Sequence, residues 1–112
     1  MSRPRPKPYP LKANFHDGQL EAVEFGPRRE VTLSVRLDPV WNGGDARVQR
    51  LQLSAVENYE EVRAFFARAT APDAERPIAE VIGVVRAADG VVGLDLTRLG
   101  YVEVRTRKVR EP

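Results

Sequence analysis

The sequence predicts an α+β domain, an antiparallel sheet of about six strands with one amphipathic helix packed on it. Three observations carry this prediction. Residues 47–70 begin as an alternating run and then change to a helical period. Several other short runs alternate apolar with polar residues. The links between most of these runs are short and contain Gly, Pro or Asp, which makes neighbouring strands antiparallel.

In residues 47–70 Leu51, Leu53 and Ala55 lie two apart, the period of a half-buried strand. Val62, Phe65, Phe66 and Ala69 then fall at i, i+3, i+4 and i+7, one face of a helix. Asn58 with Glu61 three positions on resembles a capping box. Glu60 and Glu61 lie in the first turn and Arg68 near the end, as the helix dipole favours. Ala71-Pro72 closes the helix, because proline disfavours helical geometry in the residue before it. Phe65 and Phe66 are expected as the knob pressed into the sheet.

Residues 1–10 carry prolines at 4, 6, 8 and 10 and three basic side chains. They are expected as an extended or disordered leader, and residues 11–112 as the single domain. Prolines two apart give no P-x-x-P, which argues against a polyproline-recognition ligand. Leu20, Val23 and Phe25 alternate imperfectly, as a strand with a bulge would. Glu30–Asp38 alternates cleanly, with Val31, Leu33, Val35 and Leu37 on one face, and should form a hairpin with the preceding strand. Residues 38–45 are a Pro- and Gly-containing loop that holds Trp41. Residues 78–87 read as a central strand, apolar on both faces, with Ile78, Ile82 and Val84 opposed to Val81 and Val85. Asp89-Gly90 turns the chain into a strand bearing Val92, Leu94 and Leu96. Leu99-Gly100 leads to the last, with Val102 and Val104.

A chain of 112 residues makes one domain and buries roughly 65% of its unfolded surface. It has no cysteine and one histidine, which excludes disulfides and a nitrogen–sulfur zinc site within one chain. No run approaches the roughly 20 apolar residues of a membrane helix, and no apolar segment follows the basic N-terminus as in a signal peptide. The expected location is the bacterial cytoplasm. The net charge of +2 hides an asymmetry: residues 1–10 and 105–112 each carry +3, and the body between them −4. An acidic body weakens a nucleic-acid reading, which wants a basic face on the domain. The two basic ends keep it as an alternative.

Few residues suggest chemistry. His16-Asp17 is an adjacent pair, but there is no second histidine for a phosphohydrolase metal site. No Gly-x-Ser-x-Gly elbow supports Ser34 or Ser54 as a nucleophile. The pair reads more simply as a device holding the turn before the first strand. Trp41 stands in V-W-N-G-G, either as an interface anchor or as a plug for one end of the sheet. A pocket between sheet and loop would draw on Trp41, His16 or Tyr59. Asp89, Asp95 and Glu103 make no paired-acid site, and no motif calls for a cofactor.

Phe15-His16-Asp17 with Leu20, followed by a strand, a charged turn and Val31, Leu33 and Val35, resembles the opening of a group of small bacterial β-meander proteins. Asp89-Gly90 before an alternating strand, and Leu99 to Val104, are similar to the second half of the same group. Some of its members are assigned as immunity proteins that neutralise a toxin. The resemblance implies an antiparallel meander and a protein partner, and it brings no catalytic residues. The expected function is therefore a non-enzymatic protein-binding module, immunity-like in kind. The alternatives are a small-ligand-binding or accessory enzyme domain, and nucleic-acid binding through the basic ends.

Overall fold

The computed structural model describes residues 7–71 and 73–112. Among them are eight strands and one α-helix: β1 (Lys7–Pro8), β2 (Gln19–Gly26), β3 (Glu30–Arg36), β4 (Val48–Ser54), α1 (Tyr59–Phe66), β5 (Ala79–Ala88), β6 (Val91–Leu96), β7 (Gly100–Arg105) and β8 (Lys108–Arg110). A single 3-10 turn, Pro27–Arg29, links β2 to β3. Every pairing is antiparallel, in the order β7-β6-β5-β2-β3-β4-β8, with β1 also on β5. No described helix is long and apolar enough to cross a membrane.

The expected sheet and helix are present, but the strands number eight rather than six. The two additional strands are short and lie in the basic ends. Tyr9 donates its N–H to the Val84 carbonyl at 2.9 Å, so Tyr9 faces β5 and Pro8 faces away from it. Proline is tolerated there because an outward-facing edge position needs no donor. Lys7–Pro8 is thus paired chain rather than disordered leader, and Tyr9 packs on the core. Residues 1–6 of the leader lie outside the described residues. β8 has one apolar residue, Val109, too few for a readable alternation.

The sheet is rolled. Seven strands side by side would hold the outer two roughly 29 Å apart at the usual spacing. β7 and β8, the ends of the order, are joined by Thr106 and Arg107 alone, a link of at most about 11 Å between flanking Cα atoms. The sheet must curl until its ends meet, and one inner core results. Val31, Leu33, Val35, Leu51, Leu53, Val92, Leu94, Leu96, Val102 and Val104 all point into it.

The seam is closed by polar contacts. Ala55 adopts a left-handed φ of 52°, which ends the alternation of β4. Ala55 is therefore exposed, contrary to its place in the alternating run, and Val56 is buried in its stead. Glu57 donates its N–H to the Arg105 carbonyl at 2.8 Å. The Asn58 side chain accepts from the Arg105 N–H at 2.9 Å and donates to the Glu103 carbonyl at 2.8 Å. The Thr106 hydroxyl donates to the Ser54 carbonyl at 2.6 Å. Asn58 does stand at the helix N-cap position and its Nδ2 donates to the Glu61 carboxylate at 3.0 Å, but it makes no side-chain bond to the helix backbone, because its amide is otherwise committed to β7.

The helix is shorter than its apolar stripe. It ends at Phe66, and turns carry the chain on, with the Thr70 hydroxyl bonded to the Phe66 carbonyl at 3.2 Å. Arg68 thus lies beyond the helix, and Pro72 lies outside the described residues. Val62, Phe66 and Ala69 are buried, whereas Phe65 is half-buried, with its ring edge-to-face on Phe66 at 4.9 Å. One phenylalanine of the pair is the knob.

The alternation of β5 breaks at a bulge. Val81 pairs with Leu96 and Gly83 with Asp95, so Ile82 is the extra residue. Ala79 and Val81 are buried and Glu80 and Ile82 exposed, ordinary alternation up to the bulge, beyond which residues 83–85 are all half-buried. β2 carries the expected bulge between Leu20 and Ala22.

On the outer face of the sheet the Tyr101 ring fills the space above Gly93. A Cβ there would collide with the Tyr101 hydroxyl and lie 2.7 Å from Val85 Cγ2. Burial of the phenol pushes the Tyr101 pKa above its ordinary value. The hydrogen bond to Glu103 and the negative charges of Glu103 and Asp95 act the same way.

Phe66→Ala should destabilise the fold by roughly 3–5 kcal/mol in urea melts, and Phe65→Ala by clearly less. Asn58→Asp in a Glu61→Gln background, which removes the carboxylate that Asn58 Nδ2 meets at 3.0 Å, separates seam from cap. Asp caps helices as well as Asn, so a cap role predicts no loss. The seam role predicts a loss of about 1 kcal/mol or more, since the donor to Glu103 disappears. The raised Tyr101 pKa stabilises the fold fully below the ordinary tyrosine value of about 10, and that stability is lost as pH rises through the folded-state value. Tyr101→Phe should remove this part of the alkaline decline in stability, measured by urea melts across about pH 9–11.

Candidate functional site

Two strands share one edge of β5. β2 pairs with it at Ala79 and Glu80, and β1 at Val85 and Arg86. Between them residues 9–18 leave the sheet as a strap and rejoin it where Asp17 donates its N–H to the Val81 carbonyl at 2.8 Å. A cavity of about 520 Å³ lies between this strap, the bulged part of β5 and the Trp41 loop. Tyr9, Leu11, Phe15, Trp41, Ile82 and Val84 supply most of its apolar wall, and Lys12, Asn14 and His16 its polar groups.

The strap is held from two sides by residues distant in sequence, Glu111 and Asn42. The Glu111 carboxylate accepts the N–H groups of Lys12 and Ala13, at 2.6 and 2.9 Å. The Asn42 amide brackets the backbone of Asn14, accepting its N–H at 2.9 Å and donating to its carbonyl at 2.8 Å. A second donor bond from Asn42, to the Asp38 carbonyl at 2.9 Å, ties the bracket to the start of its own loop. Asp38 also accepts the Val40 N–H at 2.8 Å, an Asx turn that shapes the loop. The strap closes on β2 through Gly18, where an added Cβ would lie 2.6 Å from Val35 Cγ1. Glycine is the only residue that fits such an approach.

His16, Asp17 and Trp41 meet at the mouth. The His16 ring Nδ1 lies 2.6 Å from the Ile82 carbonyl. A carbonyl only accepts, so Nδ1 carries the proton and the neutral ring has its lone pair on Nε2. That Nε2 is 3.5 Å from Asp17 Oδ1. The other Asp17 oxygen accepts the Trp41 indole N–H at 3.0 Å. Trp41 and His16 stack edge-to-face, with ring centroids 5.0 Å apart and planes at 79°. Trp41 remains 49% exposed and Val40 80%. With its N–H committed to Asp17, what Trp41 offers outward is apolar. It is neither a free loop residue nor a plug.

Of the four candidate residues, three come together and Tyr59 does not. Tyr59 packs edge-to-face on Phe25 at 5.9 Å and donates to the Gly26 carbonyl at 3.4 Å, and it is not part of the cavity wall. Its ring is drawn to the helix–sheet contact by Phe25. Neither Ser34 nor Ser54 lines the cavity, so among the described residues no serine stands beside His16 there. Sequence reasoning missed Asn14, Asn42, Ile82 and Glu111. Only Ile82 left a trace, as the apolar residue that made β5 look two-faced.

Asn42→Ala should release the loop from the strap. Trp41 emission should move to the red and become easier to quench with iodide, while Tm falls only slightly, because the bracket lies at the surface. Unchanged emission would mean that Asp17 and His16 hold Trp41 without the bracket. Comparison of the chain with protein-family models, with curated proteins and with solved structures finds no match.

Proposed function

We propose that the chain is a protein-binding module whose partner seats on Val40, Trp41 and Ile82 over the mouth of the cavity. The observation that carries this is the state of Trp41. Its indole is half exposed, its polar atom is already bonded, and its orientation is set by Asp17 and His16. A pre-positioned aromatic with an apolar outward face loses little freedom on binding, which is what an interface anchor requires. Val40 and Ile82 extend the apolar area, and Lys12, Asn14 and Asp17 supply a polar border. The resemblance to immunity proteins makes a protein toxin the form of partner to test first.

A second reading rests on the cavity itself. About 520 Å³ lies within the range of small-molecule sites, and its wall is mainly apolar with a few polar groups. In that case the chain is a ligand-binding or accessory domain.

A photo-crosslinking residue placed at Val40 separates the two. The protein-binding reading expects a crosslinked protein adduct in cells that disappears with Trp41→Ala. It also expects the variant to weaken partner affinity by about 2 kcal/mol or more, with a far smaller loss of stability. No protein adduct, together with a small molecule retained by the wild type in native mass spectrometry and lost by Trp41→Ala, would replace it with the ligand-binding reading.

A further inference from the structure

At the opposite ends of β2 and β3 from the Trp41 loop, the hairpin turn places two arginines where glycine would be expected. Arg28 and Arg29 have φ of 59° and 57°, the left-handed region that L-residues enter at a cost and glycine enters freely. Both side chains are exposed, so packing does not explain their presence. Ala55, also left-handed, faces them across a cavity of about 380 Å³, which Val56, Glu57 and Arg107 complete. Arg107 reaches this point because the rolled sheet brings the β7–β8 corner beside the end of β4.

Three guanidinium groups therefore border one concavity that has a single carboxylate. Glu57 is only loosely engaged. Its carboxylate is 3.9 Å from Arg107 Nη2, and its carbonyl accepts from Arg29 Nη1 at 3.4 Å. Arg28 has no described ion-pair or hydrogen-bond partner, and the site carries a formal surplus of two positive charges, with Arg28 and Arg29 from the acidic body and Arg107 from the basic C-terminal end. Guanidinium donors are planar forks that suit tetrahedral oxyanions with paired acceptor oxygens. We propose that Arg28, Arg29 and Arg107 form a binding site for a phosphate group, and that this need retains arginine at two strained turn positions.

Arginine side-chain NMR with inorganic phosphate and pyrophosphate as probes tests this. The Nε–Hε signals of Arg28, Arg29 and Arg107 should shift saturably, with pyrophosphate the tighter of the two. The double variant Arg28→Gly with Arg29→Gly relieves the backbone strain, so it should hold or raise Tm while weakening pyrophosphate binding by at least about tenfold, as expected for the loss of charged hydrogen bonds. Arg107→Gln should also weaken it, Glu57→Gln should strengthen it, and Arg63→Gln on the helix should leave it unchanged. A single-stranded oligonucleotide distinguishes the sources of the phosphate. Binding that pyrophosphate competes away and the double variant loses assigns the group to a nucleic-acid backbone. Pyrophosphate binding without oligonucleotide binding assigns it to a small phosphorylated ligand. Absence of saturable shifts in the wild type, or equal weakening by Arg63→Gln, would overturn the proposal. Trp41→Ala should have no effect on any of these measurements, so the site stands or falls apart from the protein-binding surface.

Discussion

The fold depends on how the rolled sheet closes. Its order places β7 and β8 at opposite ends, and two residues join them. A flat sheet cannot satisfy both facts. Closure exposes the backbone of β7 at the seam, and an unpaired strand edge invites association with other chains. The protein meets this with the residues that follow β4. Ala55 turns the chain through a left-handed step, Glu57 pairs with Arg105, and the Asn58 amide stands in for a strand by serving one N–H and one C=O of β7. The helix begins directly afterwards, so the same asparagine sets the direction in which Val62 and Phe66 enter the core. Seam and helix are one construction.

The other end of the barrel-like sheet is left partly open, and the candidate binding surface lies there. The opening exists because β1 and β2 divide one edge of β5 between them and the strap bows out in the interval. The bulge at Ile82 belongs to the same interval. Ile82 points outward in the alternation that runs from Ala79, and at the bulge its carbonyl meets His16. That carbonyl also fixes the proton on the histidine ring, because a carbonyl can only accept. Asp17 bonds the Trp41 indole N–H, and the His16 ring meets Trp41 edge-to-face. The result is an aromatic held by polar contacts around its rim rather than by burial.

The two proposed surfaces differ in physical character. The Trp41 face is apolar, bordered by polar groups, and ordered by bonds from distant segments. The arginine face is charged and carries backbone strain, and the strained residues are the ones that bear the charge. They lie at opposite ends of the β2–β3 pair, so one chain has room to engage an apolar partner and an anionic group without competition between them.

Local chemistry was enough to show six of the eight described strands, the β2–β3 hairpin, the bulge in β2 and the start of the helix. Each depends on a period of two or of 3.6, or on a turn residue at a fixed offset, and such signals lie within a few neighbouring positions. His16, Asp17 and Trp41 stood out for their residue types, but nothing in the order of the sequence showed that they meet. What decided the site was contact across long separations. Glu111 holds Lys12 from 99 positions away, His16 bonds to Ile82 from 66, and Asn42 to Asn14 from 28. Side-chain amides and carboxylates leave no periodic trace, so Asn58 reads as a helix cap and Asn42 as a turn residue until the chain is folded. Periodicity alone marked the six longer strands and the first turns of the helix. That the sheet rolls is a property of the folded chain, because closure is set by the two-residue link between β7 and β8, and the rolling placed the strap, the bulge and the tryptophan at one opening.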